Sequence, residues 1–259
     1  MEDRPAWKLP GHLQAGVIKS FYLKKKPFLG GTLHNAIFAP FKADLKNYLG
    51  WAIRTTLNTP NLELRISTEA TPEVVKNEHP DVLIIATGAR PLIPSIPGIK
   101  GKNVFWAGNT GDNLNQIGKT VVVAGAGMTG SETALFLAQQ GRKVTLIDVQ
   151  KLAEIDAEYP QINIMTLRSL LCECGVKIEE QVKLVEITTA GAVVMDCYNQ
   201  SILLPCDSVV FALGMKQEPE KLAEYSGLAP RVIAIGDCIG SRGNLSKVIS
   251  AGFFAGLEN

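Results

Sequence analysis

The sequence lacks an excess of charge of either sign and has no long apolar run. Its 259 residues carry 26 Lys plus Arg against 25 Asp plus Glu, a formal net charge of +1, so nothing in the balance indicates a nucleic-acid partner. No apolar run approaches the roughly 20 residues that a membrane-spanning helix needs. The N-terminal stretch MEDRPAWKLPGHLQ has no signal-peptide core. We therefore expect a cytoplasmic protein with no membrane partner.

Cysteine and histidine are too few and too scattered to form an obvious metal or nucleophile site. The five cysteines include no C-x-x-C pair. Cys172 and Cys174 fall on a predicted helix, where their thiols would point to different faces, which is poor geometry for a shared metal. His12, His34 and His79 fall far apart in predicted loops. The sequence thus predicts reduced thiols and no metal, and it identifies no catalytic residue.

One stretch, residues 119–148, carries a glycine motif in the context that a dinucleotide site requires. A short apolar strand leads into the motif, a helical pattern follows, and a second apolar strand ends at Asp148. A lone G-x-G-x-x-G is a weak signal, but a motif between strand and helix with an acid after the next strand is the dinucleotide fingerprint. The motif consists of Gly125, Ala126, Gly127, Met128, Thr129 and Gly130.

The residue types in this motif have physical reasons. Gly125 permits the turn, Gly127 lets backbone approach a pyrophosphate, and Gly130 lets helix and sheet pack closely. The N–H groups and dipole of the helix then hold phosphates. Asp148 can accept hydrogen bonds from both ribose hydroxyls, and its charge would repel a 2′-phosphate. We therefore expect NAD(H) to be preferred over NADP(H). The positive charge of Lys151 could reduce this preference. The alternative is a Rossmann-like turn that binds nothing.

Apolar strands and helical patterns alternate along the chain, which is typical of an α/β protein. Three of the strands end in similar sequences, IIATG at 84–88, VFALG at 210–214 and IAIGD at 233–237. Ligands bind at the carboxyl ends of strands in open α/β sheets, and Asp237 can accept from a sugar or ribityl hydroxyl. A strand can simply stop at glycine, but three such ends beside a fingerprint favour nucleotide binding.

Strands are predicted near residues 17–23, 62–66, 82–86, 102–107, 121–124, 144–147, 176–178, 182–188, 192–197, 202–204, 208–213 and 231–235. Helices are predicted at about 42–57, from Thr71 to His79, after the glycine motif, at 162–174 and at 245–257.

Six longer motifs occur in order over residues 27–259: LGGTL, STEATPEVV, PDVLIIATGARPLIPSIPGIKGKNV, VVVAGAGMTGSETALFLAQQG, FALGM and VIAIGDC. On these motifs the chain resembles the C-terminal flavin and pyridine-nucleotide region of the NADH:flavin oxidoreductase family, which includes 2,4-dienoyl-CoA reductase and trimethylamine dehydrogenase. The resemblance implies a glutathione-reductase-type fold of two Rossmann-like lobes. An NAD(H)-binding lobe at residues 118–215 would be inserted into an FAD-type lobe at 1–117 and 216–259.

The resemblance also implies roles for individual residues. The glycine motif and Asp148 match the NAD positions, with Gly214 nearby. Glu132 could approach a nicotinamide or interact with the helix dipole. Thr87, Gly88, Gly236 and Asp237 match positions that line FAD, and Gly30, Gly31 and Ala86 are further cofactor-binding candidates.

The function implied by the resemblance is a flavin-dependent oxidoreductase module. Hydride would pass from NADH to FAD, and electrons would move on to an FMN/iron–sulfur barrel outside this chain. The flavin would carry the redox chemistry and the protein would position it. Alternatives are a catalytically silent nucleotide-binding remnant, or a module of the ferredoxin reductase or glutamate synthase small subunit type.

Two features depart from the family pattern. Residues 1–20 contain only Gly11 and Gly16, so the first phosphate-binding turn of the FAD lobe is missing. Lys24 stands where the acidic partner of the FAD ribose is expected. We therefore expect the first βα unit of this lobe to be incomplete, as in a chain truncated at its N-terminus, and FAD binding to depend on the rest of the site.

Overall fold

The computed structural model describes residues 19–157, 159–240 and 244–257. The chain divides into two compact units. Unit 1 takes the described parts of Met1–Leu33 and Met215–Asn259 together with Asp44–Arg90, and unit 2 comprises His34–Ala43 and Pro91–Gly214.

The strands and helices are as follows in chain order. The strands are β1 (Ser20–Lys24), β2 (Leu62–Ile66), β3 (Val82–Ile85), β4 (Arg90–Pro91), β5 (Val104–Trp106), β6 (Thr120–Ala124), β7 (Lys143–Ile147), β8 (Lys177–Glu179), β9 (Lys183–Thr188), β10 (Gly191–Met195), β11 (Ser201–Pro205), β12 (Ser208–Phe211), β13 (Met215–Lys216) and β14 (Arg231–Ala234). The α-helices are α1 (Ala43–Leu57), α2 (Pro72–Asn77), α3 (Met128–Gln139), α4 (Leu152–Asp156), α5 (Gln161–Glu173), α6 (Pro219–Ala223) and α7 (Leu245–Leu257). Short 3-10 helices lie at Gly31–Asn35, Pro40–Lys42, Ala107–Asn109 and Gly236–Ile239.

Unit 2 is built on a five-stranded parallel sheet in the order β5-β12-β6-β7-β8. The central strand β6 is an apolar run buried on both faces, as expected for a parallel strand covered on both sides. Val121 and Val123 contribute to the core that α3 and α5 cover. Val122 and Ala124 belong to a second core, formed with the antiparallel sheet β11-β10-β9.

Unit 1 contains two parallel strand pairs among its described residues. β1 pairs with β2, so that Lys24 lies opposite Ile66, and α1 connects the two strands. β14 pairs with β3, so that Ala234 lies opposite Ile85. Thr71 caps α2 because its hydroxyl accepts a hydrogen bond from the Val74 N–H at 3.3 Å. The short strands β4 and β13 pair with each other.

Most predicted elements coincide with the observed ones. β2 and α7 have the predicted bounds, and α1 starts at Ala43 because Pro40–Lys42 forms a 3-10 turn instead. The five-residue helices α4 and α6 were not predicted, since each is too short to show a periodic pattern. The part of the predicted strand at 17–23 before residue 19, and Gly11, Gly16 and His12, lie outside the described residues.

The observed division differs from the predicted boundary between residues 117 and 118. Residues 91–117 lie in unit 2 because β5 pairs with β12 and Ile117 is buried in the core under α3. Residues 34–43 also lie in unit 2, where Phe38 packs edge-on against Phe136 with ring centroids 4.9 Å apart. The assignment of one unit to FAD and the other to NAD(H) stays a prediction.

No helix in the described ranges is long and apolar enough to cross a membrane.

Two isoleucines on α5 test the packing of unit 2. Ile164 is 2% exposed and Ile162 is 74% exposed. We expect Ile164→Ala to lower the free energy of unfolding by about 2–5 kcal/mol, because it leaves a cavity in the core. Ile162→Ala, the same change on the outer face, should cost far less. Urea denaturation of both variants measures the difference. Equal losses in the free energy of unfolding would contradict the burial of Ile164 and the exposure of Ile162.

Candidate functional site

The glycine turn joins β6 to α3 and leaves no room for larger residues at two positions. Gly125 has φ +105°, and a Cβ there would lie 2.4 Å from the Ala212 carbonyl oxygen on the strand end next to β6. A Cβ on Gly130 would lie 1.7 Å from the Gly125 carbonyl oxygen. Gly127 is the N-cap residue of α3, and Met128 and Thr129 open the helix. The N–H groups of the first helical turn are therefore held close to the end of the central strand.

Asp148 follows β7, the parallel neighbour of β6, and its carboxylate reaches the glycine turn. One carboxylate oxygen, Oδ2, accepts from the Ala126 N–H at 2.6 Å, and Oδ1 accepts from the Gln150 N–H at 2.9 Å. Each carboxylate oxygen can accept more than one hydrogen bond. The half-buried Asp148 thus fixes the turn and keeps acceptor capacity for two ribose hydroxyls.

A largely buried polar network binds the carbonyl oxygen of the same turn. The Ser131 hydroxyl donates to the Ala126 carbonyl at 2.8 Å. The Arg168 guanidinium, on α5, donates to the Ser131 Oγ at 2.9 Å and to the Ala126 carbonyl at 3.1 Å. Asp156 pairs with this guanidinium, with its Oδ1 2.6 Å from Nη2 and its Oδ2 3.3 Å from Nε. The pair is only 16% and 23% exposed, so the network is largely shielded from water, where such bonds are strong.

The network was not predicted, because no sequence motif links positions 126, 131, 156 and 168. Tyr159 was also missed. Its hydroxyl accepts a hydrogen bond from the Met128 N–H at 3.3 Å, at the first residue of α3. The segment that carries it, between α4 and α5, has no regular pattern from which its direction could be read.

Glu132 lies on α3 two residues beyond the glycine motif and forms an ion pair with Lys42. The two side chains are 23% and 25% exposed. Lys42 belongs to the 34–43 segment of unit 2, and the pairing was not predicted. The carboxylate of Glu132 is therefore engaged with a cation, while its predicted role at a nicotinamide stays a prediction.

Gly214 lies near the same end of the unit 2 sheet. It follows β12, which is bonded to β6 through the Ala212 N–H and the Ala124 carbonyl at 2.7 Å. The residue has φ +92°, and nothing lies within 4 Å of a Cβ added there. The structure thus brings Gly214, the glycine turn and Asp148 to one edge of one sheet.

In unit 1, the ends of β3 and β14 lie side by side. The Ile235 N–H donates to the Ile85 carbonyl at 2.9 Å, so the residues that follow these strands share one edge. Gly88 and Gly236 have φ +74° and +75°, with nothing within 4 Å of an added Cβ. The predicted FAD residues placed at this edge are Ala86, Thr87, Gly88, Gly236 and Asp237.

Gly30 and Gly31 instead follow β1, at the end of the other strand pair of unit 1. A Cβ on Gly31 would lie 3.8 Å from the Lys24 Nζ. Lys24 is half-buried, and burial together with the neighbouring Lys26 ammonium lowers the pKa of Lys24. Its neighbour Lys25 pairs with Glu69 at 2.6 Å.

The residues of the two units fit the expected cofactors to different degrees. The unit 2 turn fits a dinucleotide, since it has close-packed glycines, helix N–H groups and an acid at the strand end. The open edge at β3 and β14 fits part of a flavin nucleotide. The end of β1 carries Lys24, where the resemblance predicts an acid. Within the described part of the chain, no group of three or more His, Cys, Asp or Glu side chains could hold a metal ion.

Most of the chain is similar to known proteins. Residues 41–252 match the family model described as "Pyridine nucleotide-disulphide oxidoreductase". The bilirubin reductase of Mediterraneibacter gnavus (strain CC55_001C) is 29% identical over 235 residues, which cover 90% of this chain and 36% of that protein. The NADH oxidase of Thermoanaerobacter brockii is 30% identical, over 88% of this chain and 35% of that protein.

A solved structure shows the same fold. The 2-naphthoyl-CoA reductase in complex with 2-naphthoyl-CoA superposes with a TM-score of 0.82 at 28% identity, over 94% of this chain and 36% of that chain. The chain thus spans little more than a third of the length of these relatives. The α/β fold with Rossmann-like nucleotide-binding lobes is confirmed. The match covers the glycine turn and both strand ends of unit 1, and the chain is an FAD/NAD-binding region that belongs to the pyridine nucleotide-disulphide oxidoreductase family.

Proposed function

We propose that this chain is the nucleotide-binding module of an NADH-dependent flavin oxidoreductase, with NADH bound by unit 2 and FAD by unit 1. The observation that carries the proposal is the glycine turn at 125–130 with the Asp148 carboxylate bonded to it. NADH would supply a hydride and FAD would accept it and release electrons one or two at a time. The rest of the proposal concerns what this chain's own residues do.

In unit 2, the helix α3 and Asp148 act on different parts of the dinucleotide. The N–H groups at the start of α3 face the pyrophosphate. Asp148 accepts from the ribose hydroxyls, and hydrogen bonds to a charged group contribute about 1.5–3 kcal/mol. A 2′-phosphate would bring a second negative charge to the same place. This is why we propose that NADH is preferred over NADPH.

In unit 1, the open edge formed by β3 and β14 is the proposed flavin position. Gly88 and Gly236 leave their backbone open to a ligand, Thr87 offers a hydroxyl, and Asp237 offers a carboxylate for a ribityl hydroxyl. Gly30 and Gly31 would lie by the adenosine half, beside Lys24. An ammonium at this position donates to a ribose hydroxyl but cannot accept from it, so we expect weaker FAD binding than an acid would give.

The electrons would go on to an FMN/iron–sulfur barrel in a partner domain or subunit. This step is supported by the greater length of the relatives. The bilirubin reductase and the 2-naphthoyl-CoA reductase are each matched over only 36% of their chains. Much of each relative therefore has no counterpart among these 259 residues. The final acceptor or substrate would contact that other part.

The second candidate is a nucleotide-binding remnant without catalysis. The observation that favours it is Lys24, whose half-buried ammonium stands at the end of β1, where the family places an acid. If FAD does not bind, unit 2 still holds NADH but nothing takes its hydride. The two candidate functions differ only in whether unit 1 binds FAD.

Flavin binding by the purified chain separates the two candidates. We expect the chain to carry flavin or to take up added FAD, and anaerobic NADH to bleach the flavin absorbance. NADH binding without flavin binding would favour the remnant. Binding of neither cofactor would rule out both candidates.

Lys24→Glu tests, in the same assay, whether the ammonium at the end of β1 weakens FAD binding. We expect this variant to bind FAD about tenfold more tightly, a gain equivalent to about 1.4 kcal/mol, because it restores an acceptor for the ribose. Lys26→Glu makes the same change of charge two residues away, at a side chain stacked over Phe28, and should gain much less. Equal affinities in all three proteins would show that Lys24 is not at the ribose.

Asp148 gives the corresponding test of unit 2. We expect Asp148→Ser to weaken NADH binding by about tenfold or more and NADPH binding by less, because the variant loses ribose acceptors but also loses repulsion of the 2′-phosphate. Asp148→Asn, which keeps one oxygen for the Ala126 N–H, should shift the preference in the same direction. Fluorescence titration with both cofactors measures the ratio. Equal losses for NADH and NADPH would mean that the substitutions only distort the turn.

A further inference from the structure

The Tyr159 hydroxyl lies directly in front of the first turn of α3. Its oxygen accepts from the Met128 N–H at 3.3 Å. The same oxygen is 3.2 Å from the position that a Cβ on Gly127 would take. A side chain from outside the glycine motif therefore lies at the first turn of α3, where the proposed function places a pyrophosphate.

The chemistry of a phenol suits that place. The first N–H groups of a helix have no partner within the helix and attract phosphate oxygens. A tyrosine hydroxyl both donates and accepts hydrogen bonds. It can keep the Met128 N–H as its donor while its own proton points to an oxygen of a phosphate.

Tyr159 is fixed by the same network that holds the turn. Its backbone N–H donates to the Asp156 carbonyl at 3.2 Å, and Asp156 pairs with Arg168, which bonds the Ala126 carbonyl. The Tyr159 ring packs against the core under α3. Moving the hydroxyl away from α3 would take the ring out of its packing against this core, which favours a side chain that shares the site with a ligand over one that leaves it.

We propose that Tyr159 is a further binding residue of the dinucleotide site, whose hydroxyl donates a hydrogen bond to a pyrophosphate oxygen. The ligand class is a nucleotide that carries a diphosphate, and the proposal rests on the proposed function of unit 2. It adds an affinity determinant that lies beyond the glycine fingerprint, in the connection between α4 and α5.

Tyr159→Phe tests the proposal because it removes the hydroxyl and keeps the ring in the core. We expect the dissociation constants of NADH and of ADP to rise about tenfold. The constant for adenosine, which has no phosphate, should stay within about twofold, since the loss concerns one hydrogen bond to phosphate. Tyr198→Phe is the matched control, because this tyrosine is 80% exposed and should affect none of the three ligands. Circular dichroism and thermal unfolding confirm that both variants fold.

Each other outcome overturns the proposal. Unchanged NADH and ADP affinities would mean that the hydroxyl does not contact the phosphates. Tighter binding by Tyr159→Phe would mean that the hydroxyl obstructs the site. An equal loss for adenosine and ADP would locate the effect at the adenosine. If the unsubstituted chain binds neither NADH nor ADP, it is the proposed function of unit 2 that fails, and this result is visible before any variant is made.

Discussion

The peptide groups of Ala126 are the point on which the unit 2 site depends. The N–H of this residue is bonded to Asp148, and its carbonyl oxygen accepts from both Ser131 and Arg168. Gly130 packs so closely on the preceding turn that no side chain fits between them. The turn is thus held by hydrogen bonds with Asp148, Ser131 and Arg168. A ligand that binds there does not have to order it. Preorganisation of this kind raises affinity mainly by lowering the entropic cost of binding.

The sequence allowed the turn and its acid to be predicted, because both follow from local rules. A strand, a glycine turn and a helix are contiguous, and parallel strands bring Asp148 to the same sheet edge as the turn. Arg168 and Tyr159 could not be predicted in this way. Their positions depend on the rotation of α5 against α3 and on the path of the segment after α4, and both are set by side-chain packing in the core. The observed division into units differs from the predicted boundary for a related reason, since the pairing of β5 with β12 joins residues far apart in the chain.

The two units carry opposite charges at corresponding positions. In unit 2, β7 pairs in parallel with β8 and is followed by Asp148. In unit 1, β1 pairs in parallel with β2 and ends in Lys24. An acid and a base at such positions make opposite demands on a ribose, because a carboxylate only accepts hydrogen bonds and an ammonium only donates them. Under the proposed function, the same fold element therefore offers hydrogen-bond acceptors to a ribose in unit 2 and only donors in unit 1.

This asymmetry decides what the chain can do by itself. Under the proposed function, nucleotide binding by unit 2 does not depend on unit 1, because the residues bonded to the glycine turn all belong to unit 2. Redox turnover needs a second cofactor, and the proposed flavin position in unit 1 is the edge formed by β3 and β14, where Gly88 and Gly236 leave the backbone open. For FAD to bind, the favourable contacts at this edge must exceed the unfavourable effect of the half-buried Lys24 ammonium at the end of β1. The affinity of unit 1 for FAD, more than that of unit 2 for NADH, is therefore the quantity that separates an enzyme module from a nucleotide-binding remnant.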